Sequence, residues 1–381
     1  MRLLQVIASM DPAGGGLCQG LRNLTPALEK LGVPSEVVCL DDPASAFLGR
    51  DPFPIHALGR GRGAWCHHRA LMPWLVENMP RFEAVIVNGL WLYPSHAVRQ
   101  AARTLSKPRV YVMPHGMLDP YFQRDTSRRL KAIRNWLYWK LIESRVVADA
   151  DGLLFTCEQE LLLARDTFQP YRPKRELNAG FGIAEPPASS PTALAAFLEK
   201  CPTLGDRPYL LFLSRIHEKK GLDLLLSAYA ALGPAPPLVI AGPFDSDYAR
   251  AMQKLAADLC PPGSVHWPGM LSGEAKWGAF HGCAAFILPS HQENFGIAVA
   301  EALACGKPVL ISNQVNIWRE IGQSGAGLVA DDSESAIREM LRHWLALSPE
   351  AVSTMRNAAR ACHEKHFTID GAAARLASLL R

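Results

Sequence analysis

Glu293 and Glu301 are the residues whose type and spacing first suggest ligand chemistry, because both belong to residues 289–303, directly after an apolar run that ends at Leu288. This segment predicts a strand, a loop and a helix that starts near Phe295. Glu293 would then lie in the loop and Glu301 two turns into the helix. Both carboxylates can accept hydrogen bonds from hydroxyl groups. A solvated loop acid and a helix-surface acid remain the alternative.

The residues between the two glutamates could form an anion site. Asn294, Phe295 and Gly296 lead into the predicted helix. The first backbone N–H groups of a helix have no partner within the helix, and they bind anions such as a diphosphate. The same segment could therefore contact hydroxyl groups and phosphates.

Two basic residues point to the same ligand. Arg215 and Lys220 follow the strand predicted at residues 209–213. Fixed cations in a partly dry cleft stabilise the negative charge of a leaving diphosphate. Such a site needs no metal ion. The alternative is that these residues are ordinary surface charges.

Glycines cluster at residues 13–20, after the first predicted strand. Gly15 and Gly16 would let the backbone approach a ligand closely. As a dinucleotide motif the cluster is weak, because Gly-x-Gly spacings are common and Asp41 and Asp42 leave the end of the second strand ambiguous. A tight turn between strand and helix is the alternative.

A histidine follows the strand predicted at residues 109–112. His115 could donate a hydrogen bond to a hydroxyl group or to a developing charge, and Asp119 could orient a second hydroxyl group. A helix-capping or core position for His115 is the alternative.

Residues 124–145 are basic and aromatic, with seven Lys or Arg, two acidic residues, two tryptophans and a tyrosine. Leu130, Ile133, Leu137 and Leu141 recur at helical spacing. Such a helix could lie on an anionic membrane surface, where each nearby cation contributes roughly 1 kcal/mol. An amphipathic helix packed on its own domain, with a solvated basic face, is an equal alternative.

Short apolar runs alternate with helical segments in both halves of the chain, which predicts βαβ units and parallel sheets. Prolines and serines at residues 184–191 indicate a connector between the halves. Ligands of open α/β sheets bind beyond the carboxyl ends of the strands, which is where the candidate residues fall. The predicted strands are residues 3–7, 36–40, 84–87, 109–112, 209–213, 238–241, 285–288 and 308–311.

Composition narrows the class of protein. The chain has 381 residues, 49% of them hydrophobic and 20% charged, which suits two globular domains. A net charge of +4 is too small to indicate a protein that binds nucleic acid. Nine cysteines without a Cys-x-x-Cys motif favour a reducing cytoplasm. No apolar run approaches the roughly 18–20 residues that cross a bilayer.

Glu293 and Glu301 are spaced E-x7-E around Asn-Phe-Gly, and Arg215 and Lys220 are spaced R-x4-K before a glycine. With these two motifs, the sequence resembles the retaining GT-B transferases of glycosyltransferase family 4. The resemblance implies the GT-B fold, an α/β architecture of two Rossmann-like, doubly wound domains facing a central cleft. The implied domains are an acceptor-side domain at residues 1–185 and a donor-binding domain at residues 186–361. A terminal helix at about 362–381 would cross back to the first domain.

The same resemblance implies residue roles. Glu293 would contact hydroxyls of the donor sugar and Glu301 the nucleotide ribose, while Arg215 and Lys220 would bind the donor pyrophosphate. The loop with Gly15 and Gly16 would reach the donor phosphates and the acceptor. His115, followed by Gly116, would lie near the donor sugar and the reacting centre.

The implied reaction moves a hexosyl group from a nucleoside diphosphate sugar to an acceptor hydroxyl with retention, and without a metal or cofactor. The acceptor would be a sugar or a lipid-linked sugar, in cell-surface polysaccharide or glycolipid assembly. A peripheral position on the inner face of the cell membrane would suit a lipid-linked acceptor. A sugar-nucleotide 2-epimerase, a nicotinamide oxidoreductase and a non-catalytic sugar-nucleotide-binding protein are the rival hypotheses.

Overall fold

The computed structural model describes residues 1–124 and 129–381 and divides the chain into two compact units. Met1–Gly182 and Ile369–Arg381 form the first unit, and Ile183–Thr368 forms the second. The backbone N–H of Ile183 donates to the carbonyl of Phe367 at 2.9 Å, which ties the two ends of the second unit together. The division therefore falls before the proline-rich connector, and the returning segment starts at Ile369 rather than near residue 362.

The sheet of the first unit has seven parallel strands. They are β1 (Leu3–Ile7), β2 (Ser35–Cys39), β3 (Ile55–Ala57), β4 (Ala84–Asn88), β5 (Arg109–Met113), β6 (Gly152–Phe155) and β7 (Glu176–Asn178). Their order is β3-β2-β1-β4-β5-β6-β7. Because the order reverses between β1 and β4, the loops after these two strands diverge and leave a crevice at the carboxyl edge.

Helices cover both faces of this sheet. They are α1 (Gly16–Lys30), α2 (Leu71–Asn78), α3 (Tyr93–Ala102), α4 (Tyr121–Arg124), α5 (Arg129–Tyr138), α6 (Ser144–Asp149) and α7 (Glu158–Thr167). Side chains alternate between the faces of a strand, so Leu4 and Val6 of β1 pack in a core with α3 and α6, whereas Leu3 packs on α1.

The sheet of the second unit has six parallel strands. They are β8 (Leu210–Leu213), β9 (Leu238–Ala241), β10 (Val265–Gly269), β11 (Ala285–Leu288), β12 (Val309–Ser312) and β13 (Gly327–Ala330). Their order, β10-β9-β8-β11-β12-β13, reverses between β8 and β11. The crevice of this sheet therefore lies beyond the carboxyl ends of those two strands.

The helices of the second unit are α8 (Pro191–Leu198), α9 (Leu222–Ala230), α10 (Asp247–Leu259), α11 (Gly273–Gly282), α12 (Ile297–Ala304), α13 (Trp318–Ser324), α14 (Glu334–Leu345) and α15 (Pro349–His366). The final helix, α16 (Ile369–Leu380), belongs to the first unit, where Ala373, Leu376 and Leu380 join the core beside α1. The predicted class, two doubly wound α/β domains, is confirmed.

Candidate functional site

Two loops meet at the crevice of the second unit, one after β8 and one after β11. A glycine makes their approach possible. Gly221 has a φ of +63°, and a Cβ placed there would lie 2.0 Å from the carbonyl oxygen of Pro289. Because no other residue fits at that distance from a main-chain oxygen, Gly221 brings the loop that carries Arg215 and Lys220 against the loop that carries Glu293.

Lys220 and Glu293 form an ion pair between these loops. Lys220 lies in a turn of 3-10 helix, Glu218–Lys220, and is only 5% exposed. Beside it, the Nζ of Lys219 donates to Oε1 of Gln292 at 3.0 Å. A buried ammonium needs a counter-charge, and Glu293 supplies it. Two of the predicted site residues, 73 positions apart in sequence, are thus in contact.

The backbone of Glu293 is held by the loop after β12. Its N–H donates to the carbonyl of Gln314, and its carbonyl accepts from the N–H of Asn316, each at 3.0 Å. The same loop reaches the next residue, because Asn316 Nδ2 donates to Asn294 Oδ1 at 3.4 Å. These bonds fix the direction in which the chain enters α12.

Gly296 precedes α12 with a φ of +76°, so the helix begins at Ile297 and Glu301 lies one turn into it rather than two. The Phe295 side chain is buried against Phe367, with ring centroids 5.6 Å apart. Phe295 can therefore offer a ligand only its backbone. The first N–H groups of α12 point out of the helix start, as an anion site requires.

Glu301 pairs with a residue that the sequence did not suggest. Its Oε1 lies 2.6 Å from the Nζ of Lys276 on α11, and the side chains are 12% and 24% exposed, respectively. Burial raises the pKa of Glu301, and Lys276 opposes that rise. The Nζ of Lys276 also lies 4.7 Å from the ring centroid of Trp277. Nothing in the local sequence marks Lys276, because the pair spans 25 residues and two helices.

Arg215 differs from Lys220. It lies in the loop after β8 with an exposed side chain. Among the described residues it has no ion-pair partner. The structure therefore brings the four predicted residues of this unit to one sheet edge. Lys220 is paired and Arg215 is exposed, while Glu293 and Glu301 are each held by a lysine.

In the first unit, the glycine-rich loop starts helix α1. Pro12–Gly14 form a turn of 3-10 helix whose cap, Asp11, accepts from the N–H of Ala13. Gly15 has a φ of +82°, and Gly16 is the first residue of α1; both are exposed. A cavity of about 190 Å³ opens beside this loop, lined by residues of the β1, β4 and β5 loops that include Ser9, Gly14, Asn88, Gly89 and Met117.

His115 lies at the carboxyl end of β5, where its φ is +51°. Its Nε2 lies 3.0 Å from Oδ1 of Asn88, and Asn88 Nδ2 donates to Oε1 of Gln5 at 2.8 Å. Burial lowers the pKa of His115 to about 3. Sequence reasoning missed Gln5 and Asn88, although a glutamine inside the apolar run Leu3–Ile7 was a signal.

Asp119 has a local structural contact. Its Oδ1 accepts from the N–H of Tyr121 at 2.8 Å, which closes a turn before α4. The backbone N–H of Gly116 donates to Oε1 of Glu160 at 2.5 Å, so a carboxylate from α7 anchors the loop after His115. Asp119 thus shapes this loop.

Within residues 124–145, residues 125–128 lie outside the described part of the chain. Helix α5 and the π-helical turn that follows it, Trp139–Glu143, bury Trp139 completely. The opposite side carries four large apolar side chains that are 49–64% exposed, named here the apolar patch: Ile133, Trp136, Leu137 and Leu141. Lys131, Arg134 and Lys140 of the same helical segment are exposed, and the Nζ of Lys140 lies 5.6 Å from the ring centroid of Trp136.

Two absences hold for residues 1–124 and 129–381, the part of the chain that the structure describes. Within these ranges, no group of three or more histidine, cysteine, aspartate or glutamate side chains is arranged to hold a metal ion. In the same part of the chain, no helix combines the length and the apolar character needed to cross a bilayer.

The two facing loops and two doubly wound sheets define a GT-B architecture. Residues 197–361 match the family model of glycosyl transferases group 1, and residues 15–177 match a glycosyl transferase 4-like domain. The two matches together span most of the chain and support a GT-B glycosyltransferase of the family-4 type, in agreement with the sequence resemblance.

Curated relatives agree with this assignment. A D-inositol 3-phosphate glycosyltransferase of Streptomyces bingchenggensis is 28% identical over 83% of this chain and 68% of its own length. A GDP-mannose-dependent alpha-(1-6)-phosphatidylinositol monomannoside mannosyltransferase of Mycolicibacterium smegmatis is 28% identical over 70% of this chain and 74% of its own. The D-inositol 3-phosphate glycosyltransferase of Frankia alni is 32% identical, but the match spans only 36% of this chain and 38% of that relative.

Solved structures share the fold across the chain. HepE from Anabaena, in complex with UDP and glucose, has a TM-score of 0.78 at 15% identity and covers 100% of this chain and 99% of HepE. Sucrose-phosphate synthase from Thermosynechococcus elongatus has a TM-score of 0.74 at 19% identity, with 100% and 98% covered. At these identities the likeness concerns the fold.

Proposed function

We propose that this protein is a retaining glycosyltransferase that transfers a hexosyl group from a nucleoside diphosphate sugar to an acceptor hydroxyl. The observation that carries the proposal is the contact between Lys220 and Glu293 at the crevice of the second unit, with Arg215 on the same loop. The two family matches support the reaction class. HepE, which shares the fold, was solved with UDP and UDP-glucose, which supports a nucleotide-sugar donor.

In this proposal the donor spans the crevice. Glu301 accepts hydrogen bonds from the ribose, and Glu293 accepts them from the donor sugar. The diphosphate lies at the N-terminus of α12, near the backbone of Asn294, Phe295 and Gly296.

The two cations of the crevice have unequal roles. Glu293 already compensates the charge of Lys220, so this pair adds little net charge toward the diphosphate. Arg215 has no such partner among the described residues and contributes a full positive charge. Arg215 therefore stabilises the leaving diphosphate more than Lys220 does, while Lys220 orients Glu293.

The proposed step breaks the bond between the anomeric carbon and the diphosphate oxygen. A new bond forms on the same face between that carbon and the acceptor oxygen. The acceptor proton passes to the leaving diphosphate, so no carboxylate nucleophile is needed, in contrast to retaining glycosidases. The resemblance assigns Gly15 and Gly16 to the donor phosphates and acceptor, and His115 to the donor sugar.

The test is turnover of a panel of nucleotide sugars, including UDP-glucose and GDP-mannose, with product anomers identified by NMR. Arg215→Ala is expected to lower kcat by roughly 100-fold or more. Arg342→Ala, which removes an exposed arginine from α14, serves as the control. Near-normal turnover of Arg215→Ala, or inversion at the anomeric carbon, contradicts the proposal. Conversion of the donor without acceptor would indicate the epimerase instead.

Metal independence is part of the proposal. Its support is the cationic loop after β8, which can meet the charge that a metal would otherwise neutralise. Turnover in excess EDTA should equal turnover in buffer. A loss of activity that Mg²⁺ or Mn²⁺ restores would show that a metal ion takes part.

We also propose that the protein docks on an anionic leaflet and acts on a lipid-linked acceptor. The apolar patch supports this, because exposed aromatic and aliphatic side chains share one helical segment with the exposed cations Lys131, Arg134 and Lys140. The name of the Mycolicibacterium smegmatis relative, a phosphatidylinositol monomannoside mannosyltransferase, also supports a glycolipid acceptor.

The docking test uses vesicles of phosphatidylglycerol and phosphatidylcholine. Reversing the charges of Lys131, Arg134 and Lys140 to glutamate should abolish sedimentation with anionic vesicles. Reversing Arg250 and Lys254 on α10 and Arg342 on α14, three exposed cations, is the matched control. If the charge-reversed patch variant binds as the wild type does, the docking proposal is excluded.

A further inference from the structure

Three polar side chains form a line across the first sheet, on neighbouring strands. Gln5 lies in β1 and Asn88 at the end of β4, both buried, and His115 follows β5. Parallel pairing places Gln5 opposite Ile86 and Asn88 opposite Met113. The line ends at the carboxyl edge of the sheet with His115, whose side chain is half-buried.

The orientation of the Asn88 amide follows from its neighbours. Its Nδ2 lies 2.8 Å from Gln5 Oε1 and 3.4 Å from the main-chain carbonyl of Ile86. A main-chain carbonyl can only accept a hydrogen bond, so the atom facing it is the donor nitrogen, whichever way the Gln5 amide is turned. The oxygen of Asn88 therefore faces His115.

This orientation determines which nitrogen of His115 carries the proton. Oδ1 of Asn88 is an acceptor, and it lies 3.0 Å from Nε2 of His115. Nε2 must then donate, which leaves Nδ1 of the neutral ring with a lone pair. The low pKa of His115 is consistent with a ring that stays neutral near pH 7.

The backbone of His115 is held as firmly as its ring. His115 and Gly116 have φ angles of +51° and +80°, and the Gly116 N–H donates to Glu160 Oε1 at 2.5 Å. Oε2 of Glu160 accepts from the N–H and the hydroxyl of Thr156 at 2.7 and 2.6 Å. Left-handed backbone persists in a non-glycine residue only where its surroundings hold it.

We infer that Gln5 and Asn88 are positioning residues that lock His115 as the Nε2–H tautomer, so that Nδ1 accepts a hydrogen bond from a hydroxyl of the sugar substrate. His115 would then be an acceptor, not the hydrogen-bond donor that its position in the sequence suggests. The sugar contact rests on the proposed function, whereas the tautomer does not.

The tautomer is measured on the full-length protein by long-range ¹H–¹⁵N NMR of labelled histidines near neutral pH. A His115→Gln variant identifies the signals. The expected spectrum shows a protonated Nε2 and an unprotonated Nδ1 for His115. A protonated Nδ1 in the wild type overturns the inference, and because this result needs no variant, it does not depend on any substitution being tolerated.

Variants separate positioning from packing. Asn88→Asp keeps an acceptor toward Nε2 and should keep the Nε2–H tautomer, whereas Asn88→Leu should give a mixture of tautomers. Gln5→Leu leaves only the longer, 3.4 Å contact with the Ile86 carbonyl to hold the Asn88 amide, so it should give a mixture with less of the Nδ1–H tautomer than Asn88→Leu gives, whereas Gln5→Glu keeps an acceptor and should keep the Nε2–H tautomer. An unchanged Nε2–H tautomer in folded Asn88→Leu contradicts the lock.

Kinetics test the substrate contact. Asn88→Leu should lower kcat/KM for the donor sugar roughly threefold to tenfold, the effect of one misdirected neutral hydrogen bond. Asn88→Asp should restore most of this loss. Equal kcat/KM values in the two variants would refute the contact with the sugar. If no donor supports transfer, the proposed function fails while the NMR result still decides the tautomer.

Discussion

Substitution of Lys276 tests the pair that holds Glu301. Lys276→Met keeps most of the side-chain length and removes the charge that lies 2.6 Å from Glu301 Oε1. Breaking a fully buried ion pair costs about 3–5 kcal/mol, because the remaining charge is left without compensation. The Lys276 side chain is 24% exposed, so water can solvate part of the charge that remains on Glu301. We therefore expect Lys276→Met to lower the free energy of unfolding by about 2 kcal/mol near pH 7.

The loss should depend on pH in a definite direction. Burial raises the pKa of Glu301 and Lys276 lowers it, so Lys276→Met raises that pKa further. A carboxyl with a higher pKa in the folded state binds more protons when folded, and the fold loses stability as pH rises through the interval between the two pKa values. Lys276→Met should therefore be about as stable as the wild type below the unfolded pKa of about 4.3 and less stable than the wild type toward neutral pH.

Thermal unfolding of the full chain between about pH 4 and pH 8 measures this effect. At about 2–4 °C per kcal/mol, Tm near pH 7 should fall by roughly 4–8 °C. Lys254→Met is the matched control, because its pair with Asp258 is on the surface, with side chains 78% and 56% exposed. It should shift stability by less than about 0.5 kcal/mol.

A double-mutant cycle with Glu301→Gln isolates the pair. The double variant should lose less stability than the two single variants together, with a coupling of about 1–3 kcal/mol. A loss that is equal at every pH, or a coupling near zero, would refute the argument that Lys276 compensates a buried Glu301 carboxylate. A pH-independent loss would instead assign the effect to packing on Trp277.

Three further predictions concern single positions. Gly221→Ala should lower the free energy of unfolding by more than about 3 kcal/mol, because φ strain of roughly 1–2 kcal/mol adds to a backbone clash. Gly205 also has a φ of +63° but open space around it, so Gly205→Ala should lose only the strain energy. Chemical denaturation of the two variants compares these losses. The wild-type protein should lose stability as pH falls below about 6.5, because the unfolded state protonates His115 there while the folded state, with a pKa of about 3, does not. His115→Gln should remove this part of the pH dependence, which urea unfolding at two pH values measures. Lys220→Met should lower donor turnover by roughly 10-fold, less than Arg215→Ala does, because it releases Glu293 rather than removing charge from the diphosphate; an unchanged kcat would remove Lys220 from the site.

The sequence alone was sufficient for the fold class and for the loops that carry the candidate residues. All eight predicted strands are present, because parallel strands buried on both faces are continuous apolar runs. Five strands were not anticipated. Two of them, Ile55–Ala57 and Glu176–Asn178, are three-residue edge strands with little apolar surface. Val265–Gly269 ends in Pro268 and Gly269, two residue types that are rare inside strands, so its sequence does not indicate a strand.

Tertiary structure decided which side chains meet. Lys220 contacts Glu293 across 73 residues, and Asn88 contacts Gln5 across 83. Such contacts depend on strand order and on the register of parallel pairing, and short sequence motifs contain neither. The same reason explains why the sequence did not suggest Lys276, Gln5 and Asn88, although it did suggest Glu301 and His115 as candidates. Residue type and local spacing identify the groups able to do chemistry, and only the folded sheet supplies their partners, protonation and orientation.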